Sequence, residues 1–145
     1  MRLADYLPYL LNRIGPPLED GFAAPLAAAG VSLQMWRVLA VLHEYGDQSV
    51  GDLSALTSIR LSTLSRLVGR MARRGLVARR RDGGDARAVI VGLRKAGAAT
   101  AERLIPDALA YERRLTSGLT AAEIATLKRL LVRVYDGMAP EAGRP

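Results

Sequence analysis

The stretch Leu61–Leu93, LSTLSRLVGRMARRGLVARRRDGGDARAVIVGL, reads first as a helix and then as a hairpin. Leu64, Leu67, Val68 and Met71 recur at spacings of three and four, which places them on one face of a helix ending near Arg74. The same period gathers Ser62, Thr63, Ser65, Arg66, Gly69, Arg70 and Arg73 on the opposite face, which is polar and basic. Gly75 supplies the stop. Leu76–Arg81 and the Val- and Ile-rich run Ala88–Leu93 then read as strands. Between them Asp82-Gly83-Gly84-Asp85 is a tight connection, because glycine accepts the positive φ that hairpin turns need.

Upstream, Ser49 caps a short helix, Val50–Thr57, with Val50, Leu53 and Leu56 expected to face inward, and Ser58–Arg60 form a brief turn. The resulting order is helix, turn, helix and a hairpin wing. Ser32 caps a further helix, Leu33–Tyr45, whose Met35, Trp36, Val38, Leu39, Val41 and Leu42 cover most of its circumference. Such a helix belongs between two layers. The first stretch, Leu3–Ala29, carries helical spacing at Leu7, Leu10, Leu11, Ile14 and Leu18, interrupted by Gly15-Pro16-Pro17. Interior proline costs a helix about 3 kcal/mol, so the expectation is two helical pieces or one kinked helix.

Downstream, Lys95 to about Ser117 reads as a long helix with Ala101, Leu104, Ala108 and Leu115 on one stripe and Pro106 within it. Thr120-Ala121-Ala122-Glu123 has the form of a capping box. The helix that follows carries Ile124, Leu127, Leu131, Val134 and Met138 at spacings of three and four, a seam that calls for another helix against it. The Pro- and Gly-containing tail 139–145 is expected to fray.

Charge is distributed unevenly. Between Arg60 and Lys95 there are eleven basic residues against two acids, Asp82 and Asp85, a local excess of +9 in a chain whose net charge is +7. The remainder is therefore slightly acidic, and a basic segment concentrated within a folded domain points to a phosphate-rich partner. The chain has no cysteine, which removes disulfide frameworks, thiolate metal sites and cysteine nucleophiles. With one histidine, singly scattered acids and no phosphate-cradling glycine loop, no catalytic constellation, metal site or cofactor site is expected. The opening residues, with Asp5 and Pro8, lack the apolar run of an export signal. The longest apolar stretch, Phe22–Val31, is broken by Pro25 and Gly30 and falls short of the roughly 20 residues that span a bilayer. A cytoplasmic location is the expectation.

An α-helix fits the major groove of B-DNA, and short polar side chains near its start reach base edges. Ser62, Thr63, Ser65 and Arg66 are the candidates for that reading, with Arg66, Arg70 and Arg73 available to bases or phosphates. Arg87 is placed to enter a minor groove from the wing tip, with Asp85 two residues away to orient it. Arg79, Arg80 and Arg81 are expected to clamp phosphates.

These residues resemble the MarR family of bacterial transcription regulators. The resemblance is carried by Gly75-Leu76-Val77-Ala78-Arg79, by Asp85-Ala86-Arg87 with the strand ending at Leu93, by Gly97, and upstream by Trp36-Arg37-Val38-Leu39 and Ser62-Thr63-Leu64-Ser65-Arg66. It implies a mainly α fold with a small β-hairpin, in which a winged helix-turn-helix lobe, 32–94, and a helical dimerisation region, 1–31 and 95–140, make one domain over 1–145. It further implies an obligate homodimer on double-stranded DNA, and repression relieved by a small molecule or by oxidation. Lack of cysteine disfavours thiol oxidation. The cleft implied by the resemblance draws in Tyr9, Arg13, Trp36, Arg37 and His43, a set suited to an aromatic carboxylate or its thioester. Two positions depart from the family pattern. Arg60 stands where a serine often opens the recognition helix, so the cap is expected to shift to Ser62, and Arg94 replaces a threonine ahead of the next helix. Two other readings stay open: a non-specific architectural DNA binder, and a winged-helix module that binds protein.

Overall fold

The computed structural model describes residues 2–81 and 88–138. After a short 3-10 turn, Leu3–Asp5, the chain runs α1 (Leu7–Asp20), α2 (Ala23–Ala29), α3 (Leu33–Tyr45), β1 (Gln48–Ser49), α4 (Val50–Thr57), α5 (Leu61–Arg73), β2 (Val77–Arg81), β3 (Val89–Leu93), α6 (Lys95–Leu115) and α7 (Ala121–Met138). Two compact units emerge, Met1–Ala108 and Leu109–Pro145, with the boundary inside α6. The mainly helical composition and the small antiparallel sheet agree with the expected fold class.

The core of the first unit grows from the helix stripes. Met35, Val38, Leu39 and Leu42 of α3 are buried with Leu53 of α4 and Leu64, Leu67, Val68 and Met71 of α5. Ala101 and Leu104 of α6 join them, as do Val77 and Val91 of the sheet. Each such Leu or Val withdrawn from water contributes about 1.5–3 kcal/mol. The caps of α3 and α4 fall where expected: the Ser32 Oγ accepts from the Met35 N–H at 3.2 Å, and the Ser49 Oγ from the Asp52 N–H at 3.0 Å.

Several local expectations are corrected. The break in the first stretch lies at Gly21-Phe22, while α1 passes through Pro16 and Pro17 without interruption. Leu56 is 47% exposed. Thr57, one turn beyond Leu53, takes the inward place and donates its hydroxyl to the Leu53 carbonyl at 2.5 Å, so a buried polar group finds its partner within the helix. The start of α5 is not capped by Ser62: the helix begins at Leu61, with Arg60 in the cap position and no side-chain bond there. Leu115, placed on the buried stripe of the long helix, is 49% exposed. The sheet has a third strand. The two residues of β1 pair with β3, giving the order β1-β3-β2, all antiparallel. The connection 82–85 expected to join the hairpin lies outside the described residues.

Two contacts fix α5 and α6 to this framework. Gly97 is buried where the first turn of α6 meets the chain between α5 and β2, and a Cβ there would collide with the Leu76 carbonyl oxygen. That oxygen also accepts the Arg94 N–H at 3.0 Å, so it cannot yield without breaking a bond. At the C-terminal end of α5, Arg74 donates to the Gly30 carbonyl at 2.6 Å and to the Met35 sulfur at 3.2 Å, tying the helix to the connection between α2 and α3.

In the second unit the capping box forms. The Glu123 carboxylate accepts from the Thr120 N–H at 2.7 Å and from its hydroxyl at 2.8 Å, while Thr120 Oγ1 accepts from the Glu123 N–H at 3.3 Å. The bond from the Thr120 backbone, and then that from its hydroxyl, hold this carboxyl below its usual value. Lys128 pairs with Glu112, and the Arg114 guanidinium lies over the Tyr111 ring at 5.5 Å.

Two variants test the contacts around α5. Gly97→Ala should lose about 1–3 kcal/mol in urea unfolding, the cost of forcing bulk into a packed contact. Arg74→Ala should lose about 1–2 kcal/mol by the same measurement through its charge-assisted bond, whereas Arg73→Ala on the adjacent position should stay within about 0.5 kcal/mol.

Candidate nucleic-acid interface

Because Leu64, Leu67, Val68 and Met71 are buried, the polar half of α5 is turned outward as a consequence of helical geometry. Ser62, Ser65, Arg66, Arg70 and Arg73 are exposed and Thr63 is half-buried. Thr63, Ser65, Arg66, Gly69, Arg70 and Arg73 line one side of an open groove of about 690 Å³, and Arg79 of β2 lines the other. Gly69 has no side chain to fill the floor, and the guanidinium groups of Arg73 and Arg79 lie 3.9 and 4.0 Å from where a Cβ would stand.

Among the described residues no acid lines this groove, and none of Arg66, Arg70, Arg73 and Arg79 is engaged in an ion pair. Four cations converge there without an ion pair among the described residues. A second hollow, of about 450 Å³, shares Ser65 and Arg79 with the first and is lined by Ser49, Val50 and Gly51 at the start of α4, together with Leu61, Ala88 and Val89. The sequence reading gave α4 only a packing role. The signal for more was the Ser49 cap itself, since the N–H groups and dipole at a helix start favour an anion.

The three arginines of β2 do not share one face. Alternation along the strand sends Arg79 toward the α5 groove and Arg80 to the other side, where it pairs with Asp47 at 3.4 Å. Arg81, at the end of the strand, is exposed. Asp85 and Arg87 lie outside the described residues.

The candidate ligand residues fall in separate places. Trp36 and Arg37 line a hollow of about 460 Å³ with Ala40, Val41, Leu56, Thr57 and Ser58. The Trp36 ring packs on Phe22 with centroids 5.9 Å apart, and Arg37 reaches Glu19 of α1 at 3.5 Å. On α1 the Arg13 guanidinium lies 5.7 Å from the Tyr9 ring centre. His43, in the last turn of α3, is exposed. Among the described residues no single helix is long and apolar enough to cross a membrane.

Comparison with known proteins agrees with this geometry. A family model described as MarR family matches residues 29–88. The HTH-type transcriptional repressor IacR of Pseudomonas putida is 28% identical over 137 residues, covering 94% of this chain and 82% of that protein. The multiple antibiotic resistance protein MarR of Escherichia coli is 30% identical over 129 residues, covering 87% and 86%, and a mutant of it has been solved complexed with operator DNA, with a TM-score of 0.77 and 27% identity over 88% of this chain and 92% of that one. A MarR-family regulator from Silicibacter pomeroyi superposes with a TM-score of 0.85 at 30% identity, over 98% of this chain and 96% of that one. Bordetella bronchiseptica BpsR, whose DNA binding is regulated by 6-hydroxynicotinic acid, superposes with a TM-score of 0.80 at 26% identity, over 89% and 98%. A helix-turn-helix with an exposed basic face, two wing strands and relatives that regulate transcription rather than catalyse reactions lead to one assignment: the chain belongs to the MarR family of DNA-binding transcription regulators.

Proposed function

We propose that the chain is a sequence-specific repressor that binds a pseudo-palindromic operator as a homodimer and lets go of it when a small ligand binds. The observation that carries the DNA-binding surface is the groove in which Arg66, Arg70, Arg73 and Arg79 stand without acidic partners among the described residues. In this reading α5 enters the major groove and Ser62, Thr63, Ser65 and Arg66 meet base edges. Arg70, Arg73, Arg79 and Arg81 hold phosphates, and Arg87, oriented by Asp85, reaches the minor groove. Such a protein acts on the chromosome in the cytoplasm.

A homodimer accounts for the apolar side chains left facing solvent at both ends of the chain. On α1 these are Leu7, Leu10, Leu11, Ile14 and Leu18, and on α7 Leu127, Leu131, Val134 and Met138, all at least 36% exposed. Rows of this kind mark an interaction surface. The winged lobe 32–94 then reads DNA, and the helical segments 1–31 and 95–140 join the protomers.

For the ligand, the hollow at Trp36 and Arg37 combines an aromatic wall with a cation, which suits an aromatic carboxylate or aryl thioester. Tyr9, Arg13 and His43 do not line this hollow, so Trp36 and Arg37 carry the site in this reading. Regulation of BpsR by a hydroxylated aromatic acid is in keeping with that chemistry.

Selection of random duplexes on the purified protein should recover an inverted repeat with half-sites about one helical turn, 34–36 Å, apart. Arg87→Ala should weaken binding to every duplex, while Thr63→Ala and Arg66→Ala should also change the preferred sequence, by about 1–3 kcal/mol per altered contact. Salt-sensitive binding that enriches no sequence would instead favour an architectural role. For the ligand, calorimetric titration with a panel of aromatic acids and their thioesters should give binding that Arg37→Ala abolishes and that displaces the selected duplex. Silence across the panel would sink the ligand reading.

A further inference from the structure

Asp47 leaves the end of α3 just ahead of β1, yet its side chain acts two strands away. The sheet order β1-β3-β2 puts β3 in the middle. The register sets Ala78 opposite Gly92 and Arg80 opposite Ile90. By strand alternation, Ala78, Arg80, Ile90 and Gly92 therefore share the face turned away from Arg79. The Asp47 carboxylate lies on that face directly over Gly92, where a Cβ would collide with its Oδ1 and stand 3.1 Å from its Oδ2. Beyond Gly92, Asp47 Oδ2 accepts from Arg80 Nη2 at 3.4 Å. The side chain thus crosses the middle strand where that strand has no side chain, and grips the far one.

We propose that Asp47 is a positioning residue for DNA binding: through Arg80 it straps the outer wing strand β2 to the end of α3 and so holds the wing at a set angle to α5. Arg80 is the anchor of this strap rather than a phosphate contact. The inference rests on the DNA-binding reading above, and it adds a link from α3, which carries Trp36 and Arg37, to the wing. The pair is exposed, with side-chain accessibilities of 60% for Arg80 and 54% for Asp47, so its effect is one of geometry and modest size.

Affinity for a fixed duplex recovered by selection on the wild-type protein separates strap from clamp. Asp47→Ala, Arg80→Ala and the double variant should each weaken binding by the same factor, about two- to fivefold, because the second substitution removes nothing further. The slope of log affinity against log salt should stay unchanged. Gly92→Ala, which displaces the carboxylate, should match Asp47→Ala. In the DNA-free protein, amide exchange in residues 77–81 should be faster in Asp47→Ala than in wild type. A salt slope shallower by about 0.9 in Arg80→Ala, together with tighter binding in Asp47→Ala, would make Arg80 a phosphate clamp and overturn the proposal. Unchanged exchange in β2 would also overturn it. Failure of the wild-type protein to bind any duplex would strike the functional reading instead, leaving the exchange measurement to judge the strap.

Discussion

Burial of one stripe of α5 governs what its other half can do. Leu64, Leu67, Val68 and Met71 are at most 1% exposed, and a helix has no freedom to turn its two faces independently. Once the stripe is fastened to α3, α4 and the sheet, the outward direction of Thr63, Ser65, Arg66, Arg70 and Arg73 is determined. No hydrogen bond to the outward residues is needed to aim them. Rotation of α5 by a fraction of a turn would expose several leucine-sized side chains, each worth about 1.5–3 kcal/mol, so the orientation is stiff. The long, exposed arginine side chains remain adaptable at their tips.

The framework around α5 is built to resist sliding as well as rotation. Its C-terminal end is held by Arg74 on Gly30 and Met35, and the chain beyond it by the Leu76 carbonyl, which the first turn of α6 meets at Gly97. Its N-terminal end has no side-chain cap, and the turn before it is secured differently: Ser54 donates its hydroxyl to the Ile59 carbonyl at 2.7 Å. The helix is thus anchored by its neighbours rather than by its own ends.

Much of this was legible in the sequence, and the exceptions share a cause. The starts of α3 and α4 followed from Ser32 and Ser49, whose chemistry is local. The returning wing strand followed from the Val- and Ile-rich run Ala88–Leu93. By contrast, β1 is two residues long and exists only because β3 lies beside it, so no pattern within Gln48-Ser49 could announce it. Leu56 was misjudged because two adjacent positions competed for one inward place, and Thr57 could satisfy its own hydroxyl there. The position of the break between α1 and α2 was hidden by Pro16 and Pro17, which look like breakers but sit within a continuous helix. Where an outcome depends on a neighbour distant in sequence, local chemistry does not decide it.

The basic run makes the same point for function. Counting charge between Arg60 and Lys95 treats its arginines as equivalent, yet their neighbours divide them. Arg74 faces a backbone carbonyl and a thioether, and Arg80 faces a carboxylate that reached it across a glycine. Arg66, Arg70, Arg73 and Arg79 surround a groove that no acid lines among the described residues. A guanidinium already bonded within the protein has less to gain from a phosphate, since binding would exchange one partner for another. Arg66 uses only its Nε, which donates to the Ser62 carbonyl at 3.4 Å, and Arg70, Arg73 and Arg79 have no such bond among the described residues. These four therefore keep most of the gain and the counterion release that accompanies it. The net charge of the segment therefore overstates its grip on DNA, and the effective portion is set by where Asp47 and Gly30 lie rather than by how many arginines the segment contains.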